Sequence, residues 1–174
     1  TLAVHGARPV PLLLDRAAVD RRWCLIHCTQ MQPGETARLA ATGATAGLCP
    51  VTEANLGDGI FDGRRYLDAG GRFGIGTDSN VRIALAEELC MLEYSQRLAG
   101  RARAVLAEAD ASTGRVLYEN AVAGGTLAAG RESGAIAPGR LADLVALDAA
   151  AIDLDGKSGD TILDAWVFTG DDRL

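Results

Sequence analysis

Short apolar runs recur along the first half of the chain, and polar, glycine-rich or helix-like segments separate them. Three of these runs have the length and composition of buried β-strands, and they cover residues 23–28, 46–49 and 72–76. Helical features between and after them predict helices over residues 33–41, 64–69, 84–97 and 115–129. Because strands that alternate with helices are typical of a parallel sheet or barrel, the pattern predicts an α/β fold.

The longest predicted helix and one polar segment show the contrast between element and loop most clearly. Leu85, Leu89 and Leu92 recur at spacings of three and four residues, which places them on one face of a helix that lies on a core. Residues 52–59 are instead polar and rich in glycine, and this composition predicts a loop between the second and third strands.

The pattern changes after Gly134, where long helical segments give way to short apolar runs. Residues 135–140 predict a strand and a turn, and residues 142–148 and 162–169 predict further strands. We therefore expect two regions. Strand–helix units make up residues 1–131, and a small β tail makes up residues 132–174.

Composition restricts the possible functions more than it restricts the fold. The 174 residues include 17 basic and 23 acidic side chains, and the net charge of −6 argues against a nucleic-acid binder. No apolar run approaches the length of about 18 residues that a membrane-spanning helix needs, so no membrane partner is expected. Cys24, Cys28, Cys49 and Cys90 lack the spacing of a zinc motif, and we interpret them as reduced, buried thiols of a cytoplasmic protein.

The number of predicted strands leaves two architectures open. Three strands cannot close a (β/α)8 barrel, which typically takes about 250 residues. The chain therefore forms a small open sheet, or it is the C-terminal part of a barrel whose first half is absent. In either case the carboxyl ends of the parallel strands form the rim at which active sites lie.

Two of the predicted strands end in side chains that are suited to catalysis. His27 ends the first strand and Asp78 follows the third, so the two side chains would converge on the rim. A strand-end histidine can instead fill a structural hydrogen bond, and an aspartate before Ser79 can cap the next helix. The segment 49–59, CPVTEANLGDG, follows the second strand and would add further polar groups to the same rim.

Several segments carry a resemblance to a known family. They are residues 26–29 (IHCT), 46–50 (AGLCP), 52–61 (TEANLGDGIF), 71–79 (GRFGIGTDS), 87–89, 92–98 and the tail 134–145 (GAIAPGRLADLV). These segments resemble the amidohydrolase superfamily and, within it, the formimidoylglutamate deiminases. The tail motif is general to the superfamily, whereas segment 52–59 is the part that is most specific to the deiminases. The resemblance extends over essentially the whole chain.

The resemblance implies an α/β fold: the C-terminal part of a metal-dependent (β/α)8 barrel, with strands of a small β-sandwich. Such enzymes bind one divalent metal, expected here to be zinc, through a His-x-His pair on the first strand, a histidine on the fifth and an aspartate on the eighth. Asp78 matches this aspartate, and His27 matches a sixth-strand histidine beside the metal. The chain contains no His-x-His, and its other histidine, His5, does not match the fifth-strand ligand.

The implied activity is a step of histidine degradation, in which N-formimino-L-glutamate and water give N-formyl-L-glutamate and ammonia. Asp78 would bind the metal and accept a proton from the attacking water, and His27 would stabilise the tetrahedral centre or orient the nucleophile. Arg82 and Glu53 are expected to bind this small-molecule substrate. We expect the intact enzyme to be a cytoplasmic homodimer. The 174-residue chain alone is expected to be inactive, because three of the four implied ligands are missing.

Two alternatives stay open from the sequence. The first is another amidohydrolase deaminase, acting on a nucleobase, on S-adenosylhomocysteine or on a triazine. The segment from Glu53 to Gly59 argues against it. The second is a non-catalytic fragment, which the missing ligands favour because one aspartate and one histidine do not hold a metal tightly.

Overall fold

A three-stranded parallel sheet organises the computed structural model, which describes residues 1–170 of the chain. Its strands are β1 (Cys24–Ile26), β2 (Thr45–Leu48) and β3 (Arg72–Ile75), and they lie side by side in chain order. The register aligns Leu25 with Ala46 and Ala46 with Phe73. All three strands predicted from the apolar runs are therefore confirmed, although each ends one or two residues earlier than predicted.

Helices surround this sheet and connect its strands. They are α1 (Leu2–His5), α2 (Pro9–Arg16), α3 (Pro33–Ala41), α4 (Pro50–Leu56), α5 (Gly63–Asp68), α6 (Leu85–Gly100), α7 (Thr113–Ala129) and α8 (Asp160–Phe168), with a 3₁₀ turn at Ile152–Leu154. The helices predicted over residues 33–41, 64–69, 84–97 and 115–129 are confirmed as α3, α5, α6 and α7. Within the described residues, no helix is both long enough and apolar enough to cross a membrane.

Residues 52–59 were expected to form a loop, and this expectation is wrong for their first half. Pro50 occupies the first turn of α4, where its fixed φ and its missing N–H are tolerated. Gly57 ends α4 in a left-handed conformation with φ +70°. The Glu53 side chain accepts a hydrogen bond from the Cys49 N–H at 2.8 Å, which satisfies a donor at the helix start. Pro50 at the start and Gly57 at the end thus define a helix, although the residues between them have the polar composition of a loop.

The core lies between the sheet and the helices that follow it. Phe73 of β3 is buried together with Leu89 of α6 and Leu117 of α7. Helix α7 crosses β3 at very short range, because Gly124 has no side chain. A Cβ atom built on Gly124 would lie 2.0 Å from the carbonyl oxygen of Phe73. This close approach brings α7 onto the strand that carries Asp78 at its end.

We expect Gly124→Ala to lower the free energy of unfolding by about 3 kcal/mol or more, because the added methyl meets backbone that cannot yield locally. Gly125 is the matched control, since a Cβ at that position meets no atom within 4 Å. Gly125→Ala should raise stability by about 0.5–1 kcal/mol through its better helix propensity. Urea unfolding measures both values. Equal effects of the two substitutions would contradict the close approach of α7 to β3.

The strand predicted over residues 162–169 is wrong, because this segment forms α8. Its apolar side chains contact two helices at once. The rings of Trp166 and Tyr118 meet edge to face at 5.9 Å, and those of Phe168 and Tyr94 stack at 5.8 Å. The Asp164 side chain also accepts a hydrogen bond from the Gly114 N–H at 2.7 Å, at the start of α7. A short apolar run does not distinguish a buried helix from a strand, and here these contacts select the helix.

The strands predicted over residues 135–140 and 142–148 are also wrong, because the described chain has no strand in this region. Ile136 and Val145 are 92% and 88% exposed. A strand needs a neighbouring strand that pairs with its backbone N–H and C=O groups, and no strand of the described residues pairs with this segment. The β-sandwich tail over residues 132–174 stays a prediction, and its last four residues, 171–174, lie outside the described residues.

Candidate active site

The carboxyl ends of the three strands place one candidate side chain each on the same edge of the sheet. The His27 N–H donates to the Gly47 carbonyl at 2.7 Å, and the Gly76 N–H donates to the Leu48 carbonyl at 2.9 Å. These bonds extend the parallel ladder one residue beyond β1 and β3. Asp78 therefore lies two residues past the ladder at the rim that His27 already occupies.

His27 lies between two carboxylates at this rim. Its Nδ1 atom is 3.2 Å from Glu53 Oε1, and its Nε2 atom is 3.8 Å from Asp78 Oδ2. The side chains of His27 and Asp78 are 33% and 40% exposed, whereas that of Glu53 is only 5% exposed. The structure thus brings the two predicted catalytic residues together, with a buried acid behind the imidazole and an open acid in front of it.

The backbone at both strand ends adopts a conformation that L-residues rarely take. His27, Cys28 and Asp78 have φ values of +68°, +55° and +53°. Each such residue costs free energy and persists only where surrounding contacts hold it. Positive φ values at both His27 and Asp78 mark this rim as a place where side-chain direction is set by contacts rather than by local preference.

Glu53, which we expect to bind substrate, lies buried behind the imidazole of His27. Burial raises the pKa of its carboxyl, and hydrogen bonds from the Cys49 N–H and from His27 act in the opposite direction. Both bonds use the same oxygen, Oε1. Glu53 is therefore arranged to orient the imidazole of His27 from behind, and we treat this as its proposed role.

The rim offers one cluster of three possible metal ligands and, separately, the carboxylate of Asp78. His27, Cys49 and Glu53 offer ligand atoms within 4.8 Å of one another. In that set, Glu53 Oε1 already accepts two hydrogen bonds, and burial raises the pKa of the Cys49 thiol to about 11, which disfavours the thiolate that metals bind. Asp78 instead presents a partly exposed carboxylate beside the imidazole, which fits the single aspartate ligand that the resemblance assigns to it.

Two cations, Arg82 and Arg8, are candidates for binding an anionic group near this rim, the first by its place after Asp78 in the sequence and the second by its place in the fold. Arg82, expected to bind substrate, has a 64% exposed side chain that forms an ion pair with Glu87. Arg8, which the sequence did not single out, lines a groove of about 300 Å³ together with His27. Its Nε atom lies 2.7 Å from Glu35 Oε1. No local pattern indicates Arg8, because only the tertiary fold brings this residue, which precedes α2, to the groove.

Glu88 is a second buried acid near the rim that the sequence did not indicate. Its Oε2 atom accepts a hydrogen bond from the Val51 N–H at 2.8 Å, at the start of α4. Its Oε1 atom is buried and has no hydrogen-bond partner among residues 1–170. Burial, together with the nearby charges of Glu53 and Glu87, raises the pKa of Glu88 to about 7.

The raised pKa of Glu88 predicts a loss of stability as the pH rises. The unfolded chain releases this proton near the ordinary value of 4.5, whereas the folded chain keeps it until about pH 7. Unfolding is therefore favoured increasingly between these two pH values, by about 3 kcal/mol in total.

We expect Glu88→Gln to remove this dependence of stability on pH, because glutamine does not titrate. Its amide oxygen can still accept the Val51 N–H, so the hydrogen bond to α4 is kept. Glu87→Gln provides the control, because burial is the largest cause of the shift at Glu88 and the charge of Glu87 a smaller one, so most of the slope of stability against pH should remain. Urea unfolding across this pH range checks both, and an unchanged slope in Glu88→Gln would contradict the assignment.

Comparison with known proteins shows the family to which the chain is related. Residues 5–173 match the sequence profile described as the amidohydrolase family. The chain is 50% identical over 172 residues to the formimidoylglutamate deiminase of Pseudomonas aeruginosa, a match that covers 98% of this chain and 38% of that protein. It is 31% identical over 144 residues to a 5-methylthioadenosine/S-adenosylhomocysteine deaminase of Halobacterium salinarum, covering 83% and 33%.

Solved structures show the same fold. A crystal structure of an amidohydrolase from Brucella melitensis superposes with a TM-score of 0.92 at 54% sequence identity, covering 97% of this chain and 37% of that one. An adenosine deaminase from Xanthomonas campestris with bound zinc gives a TM-score of 0.83 at 23% identity, covering 96% and 37%. The chain thus spans a little over a third of the length of these relatives, and its fold is part of a (β/α)8 barrel.

Proposed function

The chain belongs to the amidohydrolase family, and we propose that it is the C-terminal part of a cytoplasmic hydrolytic deaminase that acts on N-formimino-L-glutamate. The observation that carries this proposal is His27 held between Glu53 and Asp78 at an open strand-end rim. The 50% identity to a formimidoylglutamate deiminase supports the choice of substrate. In the reaction, water adds to the formimino carbon, the bond to the terminal nitrogen breaks, and N-formyl-L-glutamate and ammonia leave.

His27 orients the attacking water in this proposal. With Nδ1–H assigned as the donor to Glu53, Nε2 lies on the side of Asp78 and the open rim. Nε2 can then accept a hydrogen bond from the water that attacks the substrate. Because Glu53 is buried, the imidazole keeps this tautomer and orientation without reorganisation when the substrate binds.

Asp78 takes the proton that the attacking water loses and delivers it to the departing nitrogen. Its carboxylate is partly exposed, so it can reach both the water and the substrate. Asp78 is also the residue of this chain that would hold a divalent metal, and we propose zinc. When bound, such an ion polarises the substrate and makes water a better nucleophile near neutral pH.

The two carboxylates of the substrate call for cationic partners. Arg82 stays our first candidate, because it lies in the segment that follows Asp78, although its ion pair with Glu87 must open for it to bind. Arg8 is the second candidate, because it lines the same groove as His27. Arg8 must likewise loosen its contact with Glu35 to reach a substrate.

Ammonia release by the full-length enzyme, loaded with zinc, tests this proposal. We expect release from N-formimino-L-glutamate and none from S-adenosylhomocysteine, and we expect none from the 174-residue chain alone. Release from S-adenosylhomocysteine only would replace the proposed substrate with that of the second group of relatives. Release by the 174-residue chain above a zinc-only blank would show that its own residues form a complete site.

A further inference from the structure

We propose that Thr52 is a positioning residue that fixes the direction of the Asp78 carboxylate. The Thr52 Oγ1 hydroxyl donates to the Thr77 carbonyl at 2.9 Å, and Thr77 immediately precedes Asp78. Thr52 is buried, so this bond is not in competition with bulk water. The inference rests on the role proposed above for Asp78.

Asp78 needs such a contact because of where it lies in the chain. The parallel ladder ends at Gly76, whose N–H bonds to Leu48, and the two following residues are past its reach. Asp78 then takes a φ of +53°, a conformation that aspartate does not prefer. The carbonyl of Thr77 belongs to the peptide group that precedes the Asp78 Cα. Holding this peptide plane therefore limits the directions that the Asp78 side chain can take.

A local turn makes the second contact to this carbonyl. The Asn80 N–H lies 3.3 Å from the Thr77 oxygen, which is a long hydrogen bond within the segment itself. Because this bond lies within the loop, it does not fix the position of the loop relative to the rest of the fold. The Thr52 hydroxyl comes from α4 and so ties the loop to a different element.

Helix α4 also carries the contact to the other catalytic residue. Glu53, the next residue along, orients His27 through its Oε1 atom. Val51, the preceding residue, is bonded through its N–H to the buried Glu88 of α6. Three consecutive residues of α4 thus contact α6, the Asp78 loop and His27. The separation between His27 Nε2 and Asp78 Oδ2 is therefore set from one helix.

A merely structural threonine would also be buried, and the chain offers one for comparison. Thr45 in β2 is buried, and its hydroxyl has no hydrogen-bond partner among residues 1–170. Threonine and valine have nearly the same shape, so Thr→Val removes a hydroxyl with little change of volume. Thr45→Val therefore controls for the general effect of this replacement in the sheet region.

The experiment compares Thr52→Val, Thr52→Ser and Thr45→Val in the full-length enzyme. The readouts are the rate of zinc loss to a chelator, the visible spectrum of the cobalt-substituted enzyme, kcat, KM and the melting temperature. We expect Thr52→Val to change the cobalt spectrum, to speed zinc loss, and to lower kcat by about 10–100-fold with a much smaller change in KM. Thr52→Ser keeps the hydroxyl and should restore these values, and Thr45→Val should match the wild type.

Two outcomes would overturn the inference. In the first, Thr52→Val keeps the zinc-loss rate and cobalt spectrum of Thr45→Val and differs only in melting temperature. In the second, Thr52→Ser behaves like Thr52→Val. If Thr52→Val does not fold, Thr52→Ala compared with Thr52→Ser makes the same test. Failure of the wild type to deaminate N-formimino-L-glutamate would reject the proposed substrate, while the zinc and cobalt readouts would still decide the role of Thr52.

Discussion

Asp78→Asn in the full-length enzyme is expected to lower turnover by on the order of 10³-fold or more, because one carboxylate is given two tasks. An amide cannot accept the proton of the attacking water, and it lacks the negative charge that a divalent cation favours. Bound zinc should therefore fall together with the rate. Atomic absorption and ammonia release, measured on the same preparation, give the two values.

Asp68→Asn is the matched control for this substitution. Asp68 is another exposed carboxylate, 62% accessible, and its ion pair with Arg64 is made within α5. Its neutralisation should leave rate and zinc content unchanged, since surface pairs of this kind contribute little. If Asp78→Asn behaves like Asp68→Asn, then Asp78 is only a polar residue before a helix, and the assignment of its strand to the eighth position of the barrel is wrong.

Much of the barrel part of this fold could be predicted from the sequence, because its signals are local. The strands at residues 24–26, 45–48 and 72–75 are short apolar runs, and they are followed by His27, by Cys49 and Pro50, and by Gly76. Helix α6 shows a leucine face over several turns. Helix α4 was missed because its composition is that of a loop. Its helical character depends on Pro50 and Gly57 at the two ends and on Glu53 reaching back to Cys49.

The tail could not be predicted from the same signals. Residues 162–169 are apolar enough for a strand, but the segment becomes a helix where Trp166 and Phe168 find aromatic partners on α7 and α6. Residues 135–148 have strand-like composition, but among the described residues no strand pairs with them. Composition indicates what a segment can form, whereas pairing decides what it does form.

Some residues of the candidate site could be predicted from local sequence patterns, whereas others depend on contacts between distant parts of the chain. His27 and Asp78 could be proposed from the sequence because catalytic groups collect where parallel strands end, and the structure places both at that rim. The contacts of Glu53, Thr52 and Glu88, and the roles we propose from them, could not, because each contact is a hydrogen bond to a residue more than twenty positions away. Sequence patterns thus located the rim, and the structure identified the residues that hold its geometry.

His27→Gln in the full-length enzyme should lower turnover by roughly 10²-fold or more, the scale for losing one positioned catalytic group. Zinc content should stay close to that of the wild type, because His27 is placed beside the metal rather than among its ligands. KM should change less than kcat, since the interaction strengthens mainly in the transition state. Rate, zinc content and melting temperature are measured on one preparation.

His5→Gln is the control, because the chain contains only these two histidines and His5 is exposed in α1. It should leave all three values unchanged.

Glu53→Gln should lower the rate by less than His27→Gln, because an amide oxygen can still accept the Nδ1–H. If Glu53 acts through His27, the double variant should lose less than the product of the two single losses. If the two single losses multiply in the double variant, Glu53 does not act through the imidazole.

Loss of zinc in His27→Gln would make His27 a metal ligand and shift the strand assignment by one unit. A lower melting temperature with normal turnover per folded molecule would leave His27 with a purely structural hydrogen bond.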